Sequence, residues 1–165
     1  MRFIKLALIS AIALFGIIWL ISLLLPSHIR ISRAIDINAP REKIYPLLAD
    51  IKQWDKWNEY IRVYHNRIAE TSTLKADEIA IFITGKTDTL VTAGWQQPSG
   101  NRFGNGFAII ANAGGGGHTT VQWYFDFHLK WYPWEKFQSI VYDEQLGPVM
   151  EKSLANLKRI TENSD

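Results

Sequence analysis

The sequence contains no cysteine. Disulfides, thiolate metal ligands and thiol nucleophiles are therefore excluded, and nothing marks the compartment as oxidising. It also lacks the basic surplus of a nucleic-acid binder: apart from Arg2 and Lys5, the basic residues equal the 16 acidic ones, so the rest of the chain is formally neutral. No low-complexity tract, acidic tail or internal repeat occurs. The histidines show no ligand spacing such as i, i+4 on a helix, and no metal or other cofactor is assigned. A nucleophile elbow and a Ser-His-Asp pattern are missing as well.

What the sequence does have begins with a long apolar run. Leu6 to Leu25 are twenty uncharged residues, thirteen of them Leu, Ile or Phe, enough to span a hydrocarbon core of about 30 Å as a helix. A cleaved signal peptide would share the basic start at Arg2 and Lys5. The run is longer than a usual signal core, however, and "LLLPSH" has no small-x-small cleavage site, so an uncleaved anchor over residues 1–26 is expected. Arg2 and Lys5 favour an inside N-terminus and an extracytoplasmic domain, against Arg30, Arg33, Arg41 and Lys43 just beyond the span.

Residues 27–165 suit one domain with a modest core. Pro26 stops the membrane helix, and a strand pattern starts at once, with Ile29, Ile31, Ile35 and Ile37 on one parity. The linker of about three residues reaches at most about 10 Å, which holds the domain against the membrane surface. "NAPREKIYPLLADI" predicts a helix capped by Asn38, with Pro40 in its first turn and a kink or split near Tyr45 caused by Pro46. In "DIKQWDKWNEY", Trp54 and Trp57 are spaced to share the inner face of a second short helix, while Asp55, Lys56 and Glu59 face water.

Five β-rich runs follow: "RIAETSTL", "EIAIFITG", "DTLVTAGWQQ", "RFGNGFAIIAN" and "HTTVQWYFDFHLKWY". In the last, Val121, Trp123, Phe125, Phe127, Leu129 and Trp131 alternate with polar residues, so one face is buried. "GPVMEKSLANLKRI" predicts a helix starting at Gly147-Pro148, with Val149, Met150, Leu154, Leu157 and Ile160 on its apolar stripe. A shorter helix containing Phe137, Ile140 and Val141 is expected before it. Strand, two helices, about five antiparallel strands and a long helix make an α+β layout.

That order, carried by "SRAIDINAPREKIYPLLADIKQWDKWNEY" at the front and "HTTVQWYFDFHLKWYPWEKFQSIVYDEQLGPVMEKSLANLKRI" at the back, resembles the START-like superfamily. This is the polyketide cyclase/dehydrase and lipid transport group with the Bet v 1-like helix-grip fold, here in a membrane-anchored bacterial form. The likeness covers residues 29 to 162, and its motifs are structural, not catalytic. In the middle, "RIAETSTLKADEIAIFITG" replaces the glycine-marked strands usual in bacterial relatives. The resemblance implies a curved antiparallel sheet wrapped around the C-terminal helix, with an apolar cavity between them that Trp54 and Trp57 help to plug at one end.

On that implication, Trp95, Phe107, Val121, Trp123, Phe125, Phe127, Met150 and Leu154 are the candidate ligand-binding residues. The competing reading is a filled core. No residue is assigned as catalytic: Asp126 and His128 share a strand face, but it is the outer one. "NAGGGGHTT" lacks the Lys-Ser/Thr of a phosphate loop and predicts a hairpin turn, and Gly104 and Gly106 in "FGNGF" fit a bulge or a close backbone approach. The expected partners are a hydrophobic small molecule or lipid and, through the N-terminal helix, the membrane, with no nucleic acid. Two alternatives remain open: a cyclase or dehydrase using polar groups such as Glu59, Tyr64, Gln97 or Thr119, and a chaperone-like protein-binding role using an exposed apolar patch on the outside of the sheet or around Trp131 and Trp134.

Overall fold

The computed structural model describes the chain except residues 1, 68–71, 77–78, 112–116, 130–131 and 164–165, and the side chains of 2, 65–67, 76 and 138–140. The apolar run forms α1 (Arg2–Leu24), followed by β1 (His28–Ile37), α2 (Arg41–Ala49) and 3₁₀ helices at Ile51–Lys56 and Arg62–Arg67. Then come β2 (Thr73–Ala76), β3 (Ile79–Lys86), β4 (Leu90–Gln96), β5 (Arg102–Ala111), β6 (Thr119–His128) and α3 (Pro133–Glu162). α1 is long and apolar enough to cross a membrane, with a length and composition that fit an anchor and a signal sequence alike.

The six strands form one antiparallel sheet in the order β1-β6-β5-β4-β3-β2. The first strand therefore pairs with the last, from His28 opposite His128 to Ile37 opposite Thr119. The curved sheet grips α3, giving the α+β helix-grip fold. Period-two alternation sets its inner face, where Ile31, Leu74, Ile81, Val91, Phe107, Val121 and Trp123 are buried in one core with Met150, Leu154 and Leu157 of α3. Full burial of those three helix side chains contributes roughly 1.5–3 kcal/mol each. On the outer face, the Tyr124 ring lies over Gly106, its cross-strand partner, in space that a Cβ would need. Gly106 thus serves a close approach.

Several local expectations change. α2 runs unbroken through Pro46, and Pro40, not Asn38, occupies its N-cap without a side-chain cap bond. Asn38 Oδ1 instead meets His118 Nδ1 at 2.6 Å. Proline at the sixth helical position removes only the bond to the Glu42 carbonyl. The other end of α2 is fastened by the two tryptophans. Trp54 Nε1 donates to Leu48 O at 2.9 Å and Trp57 Nε1 to Leu47 O at 3.1 Å, taking up carbonyls that a helix C-terminus leaves open.

Trp54 and Trp57 sit on a 3₁₀ helix and just past it, with Trp57 as its C-cap. Residues three apart eclipse in that geometry, which keeps both indoles on one side. Asp50 caps the start by accepting from Lys52 N at 2.9 Å. Lys52 and Lys56 of this stretch are exposed, whereas Asn58 is fully buried and Asp55, expected to face water, has a buried carboxylate oxygen; the indoles, 0% and 1% exposed, are part of the core.

α3 is one continuous helix of 30 residues, not two. Gly147 and Pro148 lie inside it. Pro148 forfeits the bond to the Glu144 carbonyl, while Arg33 of β1 clamps the helix across this point through Asp143 at 2.9 Å and Glu151 at 2.8 Å.

Candidate functional site

The middle of the sheet-helix interface is filled. Trp54 and Trp57 stand edge-on to Phe107 with ring centroids at 5.3 and 5.6 Å, Trp57 stands edge-on to Trp123 at 5.8 Å, and Phe107 meets Trp123 at 5.4 Å. Phe107, Val121, Trp123, Met150 and Leu154 are buried in this packing, and none of the five lines the cleft described next. Around these five residues the two indoles, which come from outside the strand pattern, occupy the space.

Toward one end, sheet and helix leave a gap. In the second half of α3, Met150, Leu154 and Leu157 are buried, whereas in the first half Trp134, Phe137 and Val141 are exposed. The gap is a cleft of about 760 Å³ between the ends of β4 and β6, the start of β5 and α3. Trp95, Phe125 and Phe127 line it, so these are the three candidates that the structure brings together at an accessible site.

The floor is aromatic. Trp95 stands edge-on to Phe125 at 5.4 Å and stacks on Phe103 at 5.7 Å, Phe103 meets Phe127 at 5.1 Å, and Phe127 meets Tyr142 at 5.0 Å. Ile79, Leu129 and Leu146 complete the apolar wall. Gln97, Ser99, Asn101, Arg102, His128, Glu135 and Gln145 supply polar groups, and burial pushes the Tyr60 phenol pKa up. Such a surface holds an apolar body and leaves a polar end near the rim.

Just behind the floor is an inward-facing polar residue on β5. Asn105 Oδ1 accepts from Trp95 Nε1 at 3.0 Å. Asn105 Nδ2 and the neighbouring Trp123 Nε1 are buried donors without a partner.

Of the polar groups weighed for catalysis, Gln97 and His128 line the cleft, and Glu59, Tyr64, Thr119 and Asp126 do not. Thr119 Oγ1 is buried and donates to Ala39 O at 2.9 Å. Tyr64 packs against the core from the second 3₁₀ helix. The Glu59 carboxylate, bound by Asn156 at 2.8 Å and Lys152 at 3.2 Å, is held below the ordinary range by those bonds and ties the Trp57 segment to α3. Asp126 lies on the outer face, receiving both Arg30 nitrogens at 2.7 and 2.8 Å. His128 is at the cleft rim, its ring 4.7 Å from that of His28. Phe103, Tyr142 and Leu146 were missed by sequence reasoning. Phe103 shares the inward parity of Phe107, and that was the available signal.

The end of the molecule carrying the cleft also carries α1. Leu129 N donates to Ser27 O at 2.8 Å. Lys136, 6% exposed, donates through Nζ to Ser22 O and Leu25 O, both at 3.0 Å. A lysine from α3 thus caps the C-terminal carbonyls of α1. Trp134, two positions earlier, is 61% exposed and its ring stacks on Tyr132 at 4.7 Å. Trp131 and most of the "NAGGGGHTT" segment lie outside the described residues.

Comparison with protein families matches residues 28–162 to "Polyketide cyclase / dehydrase and lipid transport". Comparison with curated proteins gives no match. Among solved structures, the chain is similar to CalU16 from Micromonospora echinospora, with 12% identity, 82% of this chain and 76% of that one covered, and a TM-score of 0.55. A protein from Nitrosospira multiformis gives 10% identity, 82% and 97% coverage and a TM-score of 0.57. One from Thermobifida fusca gives 12%, 78% and 90%, and 0.56. At these identities the likeness is one of fold.

Proposed function

The chain belongs to the polyketide cyclase/dehydrase and lipid transport family, and from that premise we propose that it binds a hydrophobic small molecule or lipid at a membrane surface without catalysing a reaction. Residues 1–26 are the anchor in this reading and 27–165 the binding domain, on the outer side. The observation that carries it is the aromatic floor of Trp95, Phe103, Phe125 and Phe127 in a cleft of about 760 Å³, within the range of roughly 300–1,000 Å³ that takes a drug-sized ligand.

Two further features support the reading. Among the described residues, Glu135 is the one carboxylate lining the cleft, and it is only half-buried. Retention of α1 is supported by Lys136, whose buried amine would lose its two carbonyl acceptors if the helix were cleaved away.

Titration of the delipidated full chain with trans-parinaric acid tests the proposal, with tryptophan excited and parinarate emission read. One saturable site is expected, lost in Leu146→Trp, which fills the cleft from α3. Absence of saturable transfer, or equal transfer in Leu146→Trp, overturns it.

A further inference from the structure

We propose that the cleft is loaded from the bilayer itself, taking a single-chain amphiphile whose tail enters along Phe103 and Phe127 while its head stays at the polar rim. The inference rests on the binding reading above and adds where the guest comes from and what kind of molecule it is.

Strand register establishes which way the mouth faces. Asp126 of β6 lies opposite both Arg30 of β1 and Gly104 of β5. The turn between β4 and β5, with Gln97 and Asn101, and Arg102 at the start of β5 are therefore level with the start of β1. β1 itself starts four residues after α1 ends. The cleft mouth, the start of α3 and the exit of the membrane helix share one end of the domain.

Lys136 makes that arrangement rigid. Its two bonds to Ser22 and Leu25 carbonyls fasten the first turn of α3 to the last turn of α1. Trp134 lies about 3 Å along the helix axis from this clasp, lines the cleft and exposes most of its ring. An indole stacked on a tyrosine, beside the end of a membrane span, has the chemistry and the depth of an interfacial aromatic belt. A cleft held at that level meets the acyl chains of the outer leaflet edge-on, and its volume admits one drug-sized guest. The polar groups around the mouth then face the headgroup layer, where a guest's head can remain hydrated.

The test uses the full chain in phosphatidylcholine vesicles containing a lysophosphatidylcholine with a mid-chain diazirine, irradiated over a time course and mapped by mass spectrometry. Adducts are expected at Phe103, Phe127 or Tyr142 as well as along α1, which serves as the internal control for insertion. Trp134→Glu is expected to slow cleft labelling about five- to tenfold more in vesicles than in detergent micelles, because it removes an interfacial anchor as well as a ring of the cleft lining. Equal effects of Trp134→Glu in vesicles and micelles, with cleft adducts lost in Leu146→Trp, overturn loading from the bilayer and leave the binding reading standing. Adducts confined to α1 in vesicles and micelles alike overturn both.

Discussion

The Arg33 guanidinium occupies the space that a side chain at position 147 would need, lying over Gly147 while bonded to Asp143 and Glu151. Glycine in mid-helix normally costs about 0.8–1.0 kcal/mol relative to alanine, so the pair implies a sign reversal. Gly147→Ala should destabilise the domain by about 1 kcal/mol, because an arginine pinned by two carboxylates cannot give way as a free side chain would. In an Arg33→Met background the same change should stabilise by a few tenths of a kcal/mol or more. Chemical denaturation of the four combinations measures this, and the same sign in both backgrounds would rule the steric account out.

The tryptophans give a second comparison. Trp57 and Trp123 are both buried, yet the Trp57 N–H has an acceptor, Leu47 O, and the Trp123 N–H has none. Trp57→Phe should therefore cost about 1 kcal/mol more than Trp123→Phe, the net worth of a buried hydrogen bond, since the volume removed is the same. Equal losses in thermal or denaturant unfolding would remove the capping role assigned to Trp57.

Asp126 makes a pH prediction. Hydrogen bonds from Arg30, reinforced by the charges of Arg30 and His28, hold its carboxylate below the ordinary aspartate range. A carboxylate whose folded pKa is depressed contributes stability that is full above its unfolded value and lost as pH falls through the folded one. Asp126→Asn should thus be less stable than the parent at neutral pH by up to about 1 kcal/mol, as for a partly exposed ion pair. The two should converge in acid below the usual aspartate pKa. A gap that persists unchanged through that window would show that the pair is not the cause.

Lys136→Met addresses the junction with α1. The change keeps the aliphatic length but removes the lysine donor from Leu25 O and from Ser22 O, which keeps the Leu25 N–H at 3.3 Å, at a cost of about 1–3 kcal/mol. Hydrogen exchange of the full chain in micelles should accelerate at the start of α3 and around Leu25, with β5 and β6 unaffected. Uniform acceleration across the sheet would mean that the lysine supports the whole fold instead of one joint.

Much of this architecture was legible because it follows from periodicity. Alternation through Val121 to Phe127 gave the inner face of β6, the stripe of Met150, Leu154 and Leu157 gave the buried face of α3, and the spacing of Trp54 and Trp57 gave their common inward side. Periodicity tells which way a side chain points but not what stands opposite. The rings of Phe107 and Trp123 do point inward, and there they meet the two indoles in a packed centre, so the void implied by the resemblance is not where those residues are. The cleft is bordered by the first half of α3 and the rings of β4 to β6, and the room left between two elements leaves no trace in either element's pattern. Continuity through Gly147-Pro148 was hidden for a related reason. Local propensity favours a break at proline, and the clamp that spans it comes from Arg33, more than a hundred residues away.

The pairing of the first strand with the last has a consequence for synthesis. β1 is made early with both edges unsatisfied, and its partner Thr119–His128 emerges roughly ninety residues later, as the last strand. At roughly 5–20 residues per second, that wait is on the order of 5–20 s. Throughout it, a strand rich in isoleucine is a template for any neighbouring nascent chain. Arg30, Arg33 and Asp36, spaced along that strand, put charge on the waiting edge until its own partner arrives.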